Sequence, residues 1–178
     1  MQSNEEGRPL ATAEKTAAAF LAALFAAEKW VAIAAFALIA VLLFADVLGR
    51  ELFGHGLFWA QRASVYAATV AGLLGFSLCV AKGAHLRPSS FDKLAPAGWG
   101  PAMNRAADLI SAAICLFLAI YGANFVVNSF ALGERGQAID MPLWPVQMIL
   151  PYCFVSAMLR YLAYAAFPAL RPVESEAA

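Results

Sequence analysis

Charge is what this sequence has least of. Asp, Glu, Lys and Arg make up 13% of its 178 residues, which is about half the share found in soluble domains. Basic and acidic residues number twelve each, so the chain has no net positive charge with which to attract a phosphate backbone. We therefore expect no nucleic acid among its partners.

The residues that usually hold metals or cofactors are scarce as well. The two histidines, His55 and His85, fall in different connecting segments, whereas a membrane-embedded haem needs histidines inside the helices. The three cysteines form no CxxC pair and lie in apolar runs, which is typical of buried thiols. We expect no catalytic, metal-binding or cofactor-binding residue, and this disfavours a small membrane enzyme or an electron carrier.

Apolar residues are present in excess, at 62% of the chain. A soluble fold of this size would leave much of that surface exposed to water. Four runs are long enough to cross a hydrocarbon core that needs about 20 residues, and they must be helical because lipid leaves backbone groups no other partner. The predicted fold class is an all-α integral membrane protein with four transmembrane helices, at about residues 30–48, 60–80, 106–130 and 146–167.

Lysine and arginine predict the orientation of these spans. With four spans, nine of the twelve basic residues fall on one side of the membrane and three on the other. Because cytoplasmic segments are enriched in Lys and Arg, we expect both termini and the connector 82–105 to be cytoplasmic. The three basic residues on the outer side are Arg50, Arg62 and Arg135.

Residues 12–29 have apolar side chains at helical spacing between charged ends, which indicates an interfacial amphipathic helix that bends into the first span near Trp30. The alternative is an alanine-rich extension of the first span. Residues 1–11 are predicted to be a disordered tail, and residues 168–178 a C-terminal tail.

Four charged residues gather at the predicted outer ends of the first two spans. Asp46 and Arg50 are spaced i, i+4 with the acid first, which is the favourable order. Glu51 follows, and Arg62 opens the second span. We predict that these four residues form one partly desolvated cluster that joins the two helices or contacts a partner.

Within the spans, packing signals dominate. Asn124 and Asn128, also at i, i+4, are expected to hydrogen-bond a neighbouring helix. Pro151 predicts a kink in the fourth span, and tryptophans such as Trp59 mark span ends. Small residues recur every four positions in the second span and predict close helix packing; they are Ala63, Ala67, Ala71, Gly75, Cys79 and Gly83, with Ser64, Ala68 and Gly72 in an adjacent row.

Three stretches of the chain, in this order and on these spans, resemble the small membrane subunit (DctQ type) of tripartite ATP-independent periplasmic (TRAP) transporters. They are GRELFGHGLFW, GFSLCVAKGAHLRPSSFDKL and AIDMPLWPVQMILPYCFVSAMLRYL. The chain departs from the family at Gln61 and Arg62, where the family usually places one or two glutamates; we expect Asp46 or Glu51 to supply the acid. The residues that carry the resemblance are Arg50, Trp59, Lys82, His85, Leu86, Asp92, Pro142, Trp144, Pro151 and Arg160.

The resemblance implies a non-catalytic scaffold subunit in a bacterial inner membrane. Its partners would be membrane lipids, a large permease subunit that carries the substrate and sodium sites, and a periplasmic binding protein that delivers an organic acid. Residues 53–58 and 133–141 are the candidate surface for the binding protein. The alternatives are the small subunit of a tripartite tricarboxylate transporter and a stand-alone four-helix membrane protein such as a small exporter.

Overall fold

The computed structural model describes residues 12–83, 100–136 and 140–172. These residues form three long helices, α1 (Thr12–Phe53), α2 (Phe58–Ala81) and α3 (Gly100–Ala131), then a short α4 (Trp144–Gln147) and α5 (Ile149–Ala166). A 3-10 turn, Pro168–Leu170, follows. The described part of the chain contains no strand, and its one isolated β-bridge joins Arg135 to Pro142.

Four helical segments are long and apolar enough to cross a membrane: α1, α2, residues 102–131 of α3, and α4 with α5 taken together. This confirms the predicted all-α class and the number of spans. The side on which the termini lie stays a prediction.

The first helix is continuous through Trp30. Residues 12–53 form one helix of 42 residues, about 63 Å long at 1.5 Å per residue and about twice the thickness of a hydrocarbon core. No glycine or proline occurs between residues 12 and 48, and alanine favours the helix, so the helix does not stop at Trp30. The helix over residues 12–29 therefore runs into the first span without a break. Its position at the membrane surface and the bend near Trp30 stay predictions.

The long helices pack in a row. α1 packs along α2, α2 along α5, and α5 along α3, so α1 and α3 are the two edges of the row. Small buried residues such as Ala71, Ala119 and Ala157 lie at the contacts and let the helices approach closely. Because a row has two open faces, many large apolar side chains stay exposed, as suits a protein surrounded by lipid.

The buried side of α2 does not follow the predicted repeat of small residues at every fourth position. Gly72 is exposed, and no neighbouring atom lies within 4 Å of a side chain added at Gly72 or Gly75. A strict four-residue repeat drifts about 40° per step around a helix, so it cannot follow one straight partner. The buried stripe instead combines steps of four and three along its first part with steps of three along its last part: Ala60, Ser64, Ala67, Ala71, Leu74, Ser77 and Val80.

The fourth span is interrupted close to Pro151, as predicted. α4 ends at Gln147 and α5 begins at Ile149. Pro151 has no N–H with which to bond the carbonyl of Gln147, so the helix breaks at that carbonyl. Gly122 of α3 packs here, since a Cβ added at Gly122 would lie 3.5 Å from the Pro151 nitrogen.

Candidate functional site

A buried ion pair joins three helices of the row. Glu28 of α1 and Arg160 of α5 are each 1% exposed, and Arg160 Nη2 donates to Glu28 Oε2 over 2.8 Å. Arg160 Nη1 lies 2.6 Å from the hydroxyl oxygens of Ser77 on α2 and Ser156 on α5. Ser156 also donates to Glu28 Oε1, and the Ser77 hydroxyl lies 3.0 Å from Glu28 Oε2. We name these four residues the buried network.

The buried network lies near one end of α2 and α5 and carries no net charge. Ser77 lies four residues before the end of α2, and Arg160 lies six residues before the end of α5, so the network is near the end of the row that is predicted to be cytoplasmic. The pair is neutral as a whole, and each charge accepts or donates several hydrogen bonds. A buried pair adds little net stability, but removing one partner is costly, so the network selects the alignment in which all three helices meet.

A second ion pair holds the segment that follows α5. Asp108 of α3 is 4% exposed, and its Oδ1 accepts from Arg171 Nη2 over 3.2 Å. A Cβ added at Gly83, whose φ is +67°, would lie 3.0 Å from the ring of Pro172. Residues 168–172, predicted as the start of a tail, are therefore packed against α3 and the end of α2.

The turn between α1 and α2 is built around Asp46, which is 5% exposed. One carboxylate oxygen pairs with Arg50, and the other accepts the backbone N–H of Leu57 over 2.7 Å. A Cβ added at Gly56 would lie 3.0 Å from Asp46 Oδ1 and 2.8 Å from Arg50 Nε. The absence of a side chain at Gly56 lets the turn close over the ion pair.

The predicted four-residue cluster does not form within the described chain. Asp46 and Arg50 are paired, but Glu51 and Arg62 are exposed and make no ion pair with any described residue. Asp46 uses its second oxygen on the backbone of the turn, so it is not available to Arg62. Within the described residues neither Asp46 nor Glu51 pairs with Arg62; that one of them takes the place of the family's glutamates stays a prediction.

The described parts of the connector between α3 and α4, residues 132–136 and 140–143, are held by several contacts. Ser129 donates to Glu134 over 2.7 Å, and Arg135 pairs with Asp140 over 2.8 Å. Pro142 takes part in the β-bridge. Trp144 meets the edge of Phe130, with ring centroids 5.8 Å apart, which fixes the start of α4 against the end of α3.

The remaining predicted residues lie on the surface or outside the described ranges. Trp59 is 49% exposed, and Lys82 is exposed at the end of α2. Asn124 and Asn128 are exposed, and neither side-chain amide has a hydrogen-bond partner among the described residues, so the expected bond to a neighbouring helix of this chain is absent there. His85 and Asp92 lie outside the described residues.

The sequence predictions missed the buried network. Ser77 and Ser156 were assigned no role, and Glu28 was only one of the charged ends of the predicted amphipathic helix. Arg160 was only a basic residue of the predicted cytoplasmic side and part of the family resemblance. A signal was present, because a charged residue within an apolar run needs a partner, and Glu28 and Arg160 have opposite signs. Pairing them required knowing that α1 and α5 meet across α2.

The family model described as "Tripartite ATP-independent periplasmic transporters, DctQ component" matches residues 39–171, about three quarters of the chain. The chain belongs to the DctQ family. This confirms the resemblance to the small membrane subunit of TRAP transporters. The DctQ match includes Ser77, Ser156 and Arg160 but not Glu28.

A search of curated proteins and a search of solved structures found no significant match. The family assignment therefore depends on the DctQ match alone. It makes the chain a component of a tripartite transporter and a multi-pass membrane protein.

Proposed function

We propose that this DctQ chain is a non-catalytic scaffold subunit of a TRAP transporter that imports an organic acid across a bacterial inner membrane. It binds a large permease subunit, which carries the substrate and the coupling sodium ions. A periplasmic binding protein delivers the substrate to the pair. The observation that carries this proposal is the DctQ match over residues 39–171.

The use of charge supports a scaffold role. Among the described residues, each of the three most buried acids is paired with an arginine: Glu28 with Arg160, Asp46 with Arg50, and Asp108 with Arg171. A carboxylate that is held in an ion pair with an arginine is not free to bind a moving ion. Asp46 and Arg50 lie near the end of α1, whereas Arg160 and Arg171 lie near and beyond the end of α5, so the pairs do not form a continuous line across the membrane. This arrangement suits a rigid body on which another subunit moves.

Reconstitution tests the proposal. The DctQ chain, a large permease subunit from the same genome and the binding protein are placed in proteoliposomes, with a panel of radiolabelled carboxylates outside. We expect uptake that needs a sodium gradient and all three proteins. Vesicles that lack only the DctQ chain are the control, and they should lose most of the uptake.

Two results would count against the proposed function. One is undiminished uptake by the large subunit and binding protein without the DctQ chain. The other is failure of the tagged DctQ chain to retain the large subunit after extraction in mild detergent.

A further inference from the structure

We propose that the outer side of α3 binds a transmembrane helix of the large permease subunit through Tyr121, Asn124 and Asn128. We name the surface formed by Phe117, Tyr121, Asn124 and Asn128 the α3 stripe. This inference rests on the proposed function and adds to it the surface by which the subunits meet.

The α3 stripe faces away from the rest of the chain. Its members follow one another at steps of four, three and four residues, which places them on one side of a helix. Cys115, which is 5% exposed, lies nine residues before Asn124, and nine residues at 100° each put it about 180° away around the helix. The buried side of α3 packs on α5, so the stripe lies on the open edge of the row.

The chemistry of the α3 stripe does not suit lipid. Tyr121 is 59% exposed, and Asn124 and Asn128 are exposed; the side-chain polar groups of these three have no partner among the described residues. Asn124 lies seven residues before the end of α3 at Ala131, or about 10 Å, and Tyr121 about 15 Å. Acyl chains offer no hydrogen bonds, so polar groups within the predicted span 106–130 need protein partners.

The opposite edge of the row provides the comparison. Along α1, every exposed residue between 31 and 48 is apolar, as expected of a surface covered by acyl chains. Both edges are helices of the same chain in the same membrane. Of the two, only α3 carries exposed amides and a hydroxyl on its outer side, whereas α1 carries none between residues 31 and 48. The two edges therefore have different neighbours, lipid at α1 and a polar helix at α3.

The aromatic residues of the α3 stripe suit a protein partner as well. The rings of Phe117 and Tyr121 contact each other, with centroids 4.4 Å apart and planes tilted by 46°. Large, rigid side chains of this kind are enriched at protein interfaces. The occupant that fits is a membrane helix that presents hydroxyl, amide or backbone groups opposite the two asparagines.

The test replaces the amides by a side chain that lipid prefers. If the α3 stripe faced lipid, Asn124→Leu/Asn128→Leu would improve its fit to the acyl chains. If the stripe binds a helix, the same double substitution weakens that binding. The tagged DctQ chain and the large subunit are co-expressed, extracted in mild detergent and purified on the tag. We expect at least about a tenfold loss of retained large subunit, because two interhelical hydrogen bonds are removed, with unchanged thermal stability of the DctQ chain purified alone.

The matched control is Phe36→Leu/Phe44→Leu on the α1 edge, which should retain the large subunit like the wild type. Asn124→Ser/Asn128→Ser, which keeps hydrogen-bonding groups, should lose less than the leucine variant. A photo-crosslinking residue at Tyr121 gives a readout that does not depend on variant stability. It should form an adduct with the large subunit in intact membranes, whereas the same residue at Phe44 should not.

Three results would overturn the proposal. The first is full retention by the leucine variant together with no adduct from position 121. The second is an adduct between two DctQ chains only, which would make the stripe a self-association surface. The third is failure of the wild-type chain to retain the large subunit, which would remove the proposed function itself and not only this surface.

Discussion

Arg160 shows at the scale of one residue how a charge is kept inside a row of membrane helices. Its guanidinium has Glu28, Ser77 and Ser156 as partners, which come from three helices. Isolated in hydrocarbon, the same charge would be strongly unfavourable. The arginine is therefore tolerable in only those arrangements that bring α1 and α2 to α5.

Replacing Arg160 alone should destabilise the chain severely. Arg160→Leu leaves the Glu28 carboxylate buried without its cation, and we expect a loss of about 3–5 kcal/mol in the free energy of unfolding. Glu28→Gln/Arg160→Leu, which removes both charges, should recover most of this loss. Thermal unfolding in detergent measures both variants. Lys29→Leu, at the exposed neighbour of Glu28, is the control; equal stability of Arg160→Leu and Lys29→Leu would show that the buried network does not hold the helices.

Two substitutions of Asp46 distinguish the contribution of its ion pair from that of its hydrogen bond to the backbone. Asp46→Asn removes the charge but keeps an oxygen for the Leu57 N–H, and because Arg50 is largely exposed, we expect a cost below about 1 kcal/mol. Asp46→Leu also leaves that N–H without an acceptor, and we expect about 1–3 kcal/mol. The same unfolding measurement applies. Equal costs for the two variants would assign the role of Asp46 to the ion pair.

At the scale of elements, close approach between α1 and the following turn depends on Gly49. Gly49 is buried, and a Cβ added there would lie 3.0 Å from the backbone carbonyl oxygen of His55. A carbonyl cannot move without its chain, so this contact is less forgiving than one with a flexible side chain. The helices α1 and α2 are thus positioned by the turn as well as by their long contact.

Two glycine-to-alanine substitutions form a matched pair. Gly49→Ala should destabilise the chain by about 1–3 kcal/mol because the extra methyl overpacks the turn. Gly72→Ala, also within a helix but with open space around it, should be neutral or slightly stabilising, because alanine favours the helix by up to about 1 kcal/mol. Unfolding of the two variants side by side is the measurement. A loss at Gly72→Ala equal to that at Gly49→Ala would contradict the packing of the turn.

At the scale of the whole molecule, the row leaves both faces and both edges of the chain in contact with surroundings other than itself. Large apolar side chains such as Phe36 and Phe44 are more than half exposed. In water this surface would aggregate. In a membrane it is covered by lipid or by another subunit.

Reporter fusions test the orientation of this row. Because nine of twelve basic residues fall on one predicted side, we expect a fluorescent protein fused after residue 178 to fluoresce in the cytoplasm. Alkaline phosphatase fused after residue 54 should be active, because that turn lies outside. Alkaline phosphatase fused after residue 83 is the control and should be inactive. The reverse pattern would overturn the inside-positive assignment.

The sequence by itself determined the class of this protein and the length of its spans. Runs of about 20 apolar residues must be helices in lipid, and proline at position 151 removes a backbone donor wherever the helix packs. The i, i+4 pair of Asp46 and Arg50 was also readable, because both residues lie on one helix with known geometry. The resemblance to the DctQ family needed the order of three motifs along the chain and no tertiary contact.

Only the tertiary structure decided which helices are neighbours, and everything that depends on neighbours followed from that. Glu28 and Arg160 are 132 residues apart, and they meet directly at the place where α1, α2 and α5 come together and where α2 adds Ser77 to the pair. Asn124 and Asn128 look the same in the sequence whether they face α5 or the open edge. The rotation of a helix about its axis is set by packing against neighbouring helices. Sequence periodicity shows which residues share a side of the helix but not which neighbour that side contacts.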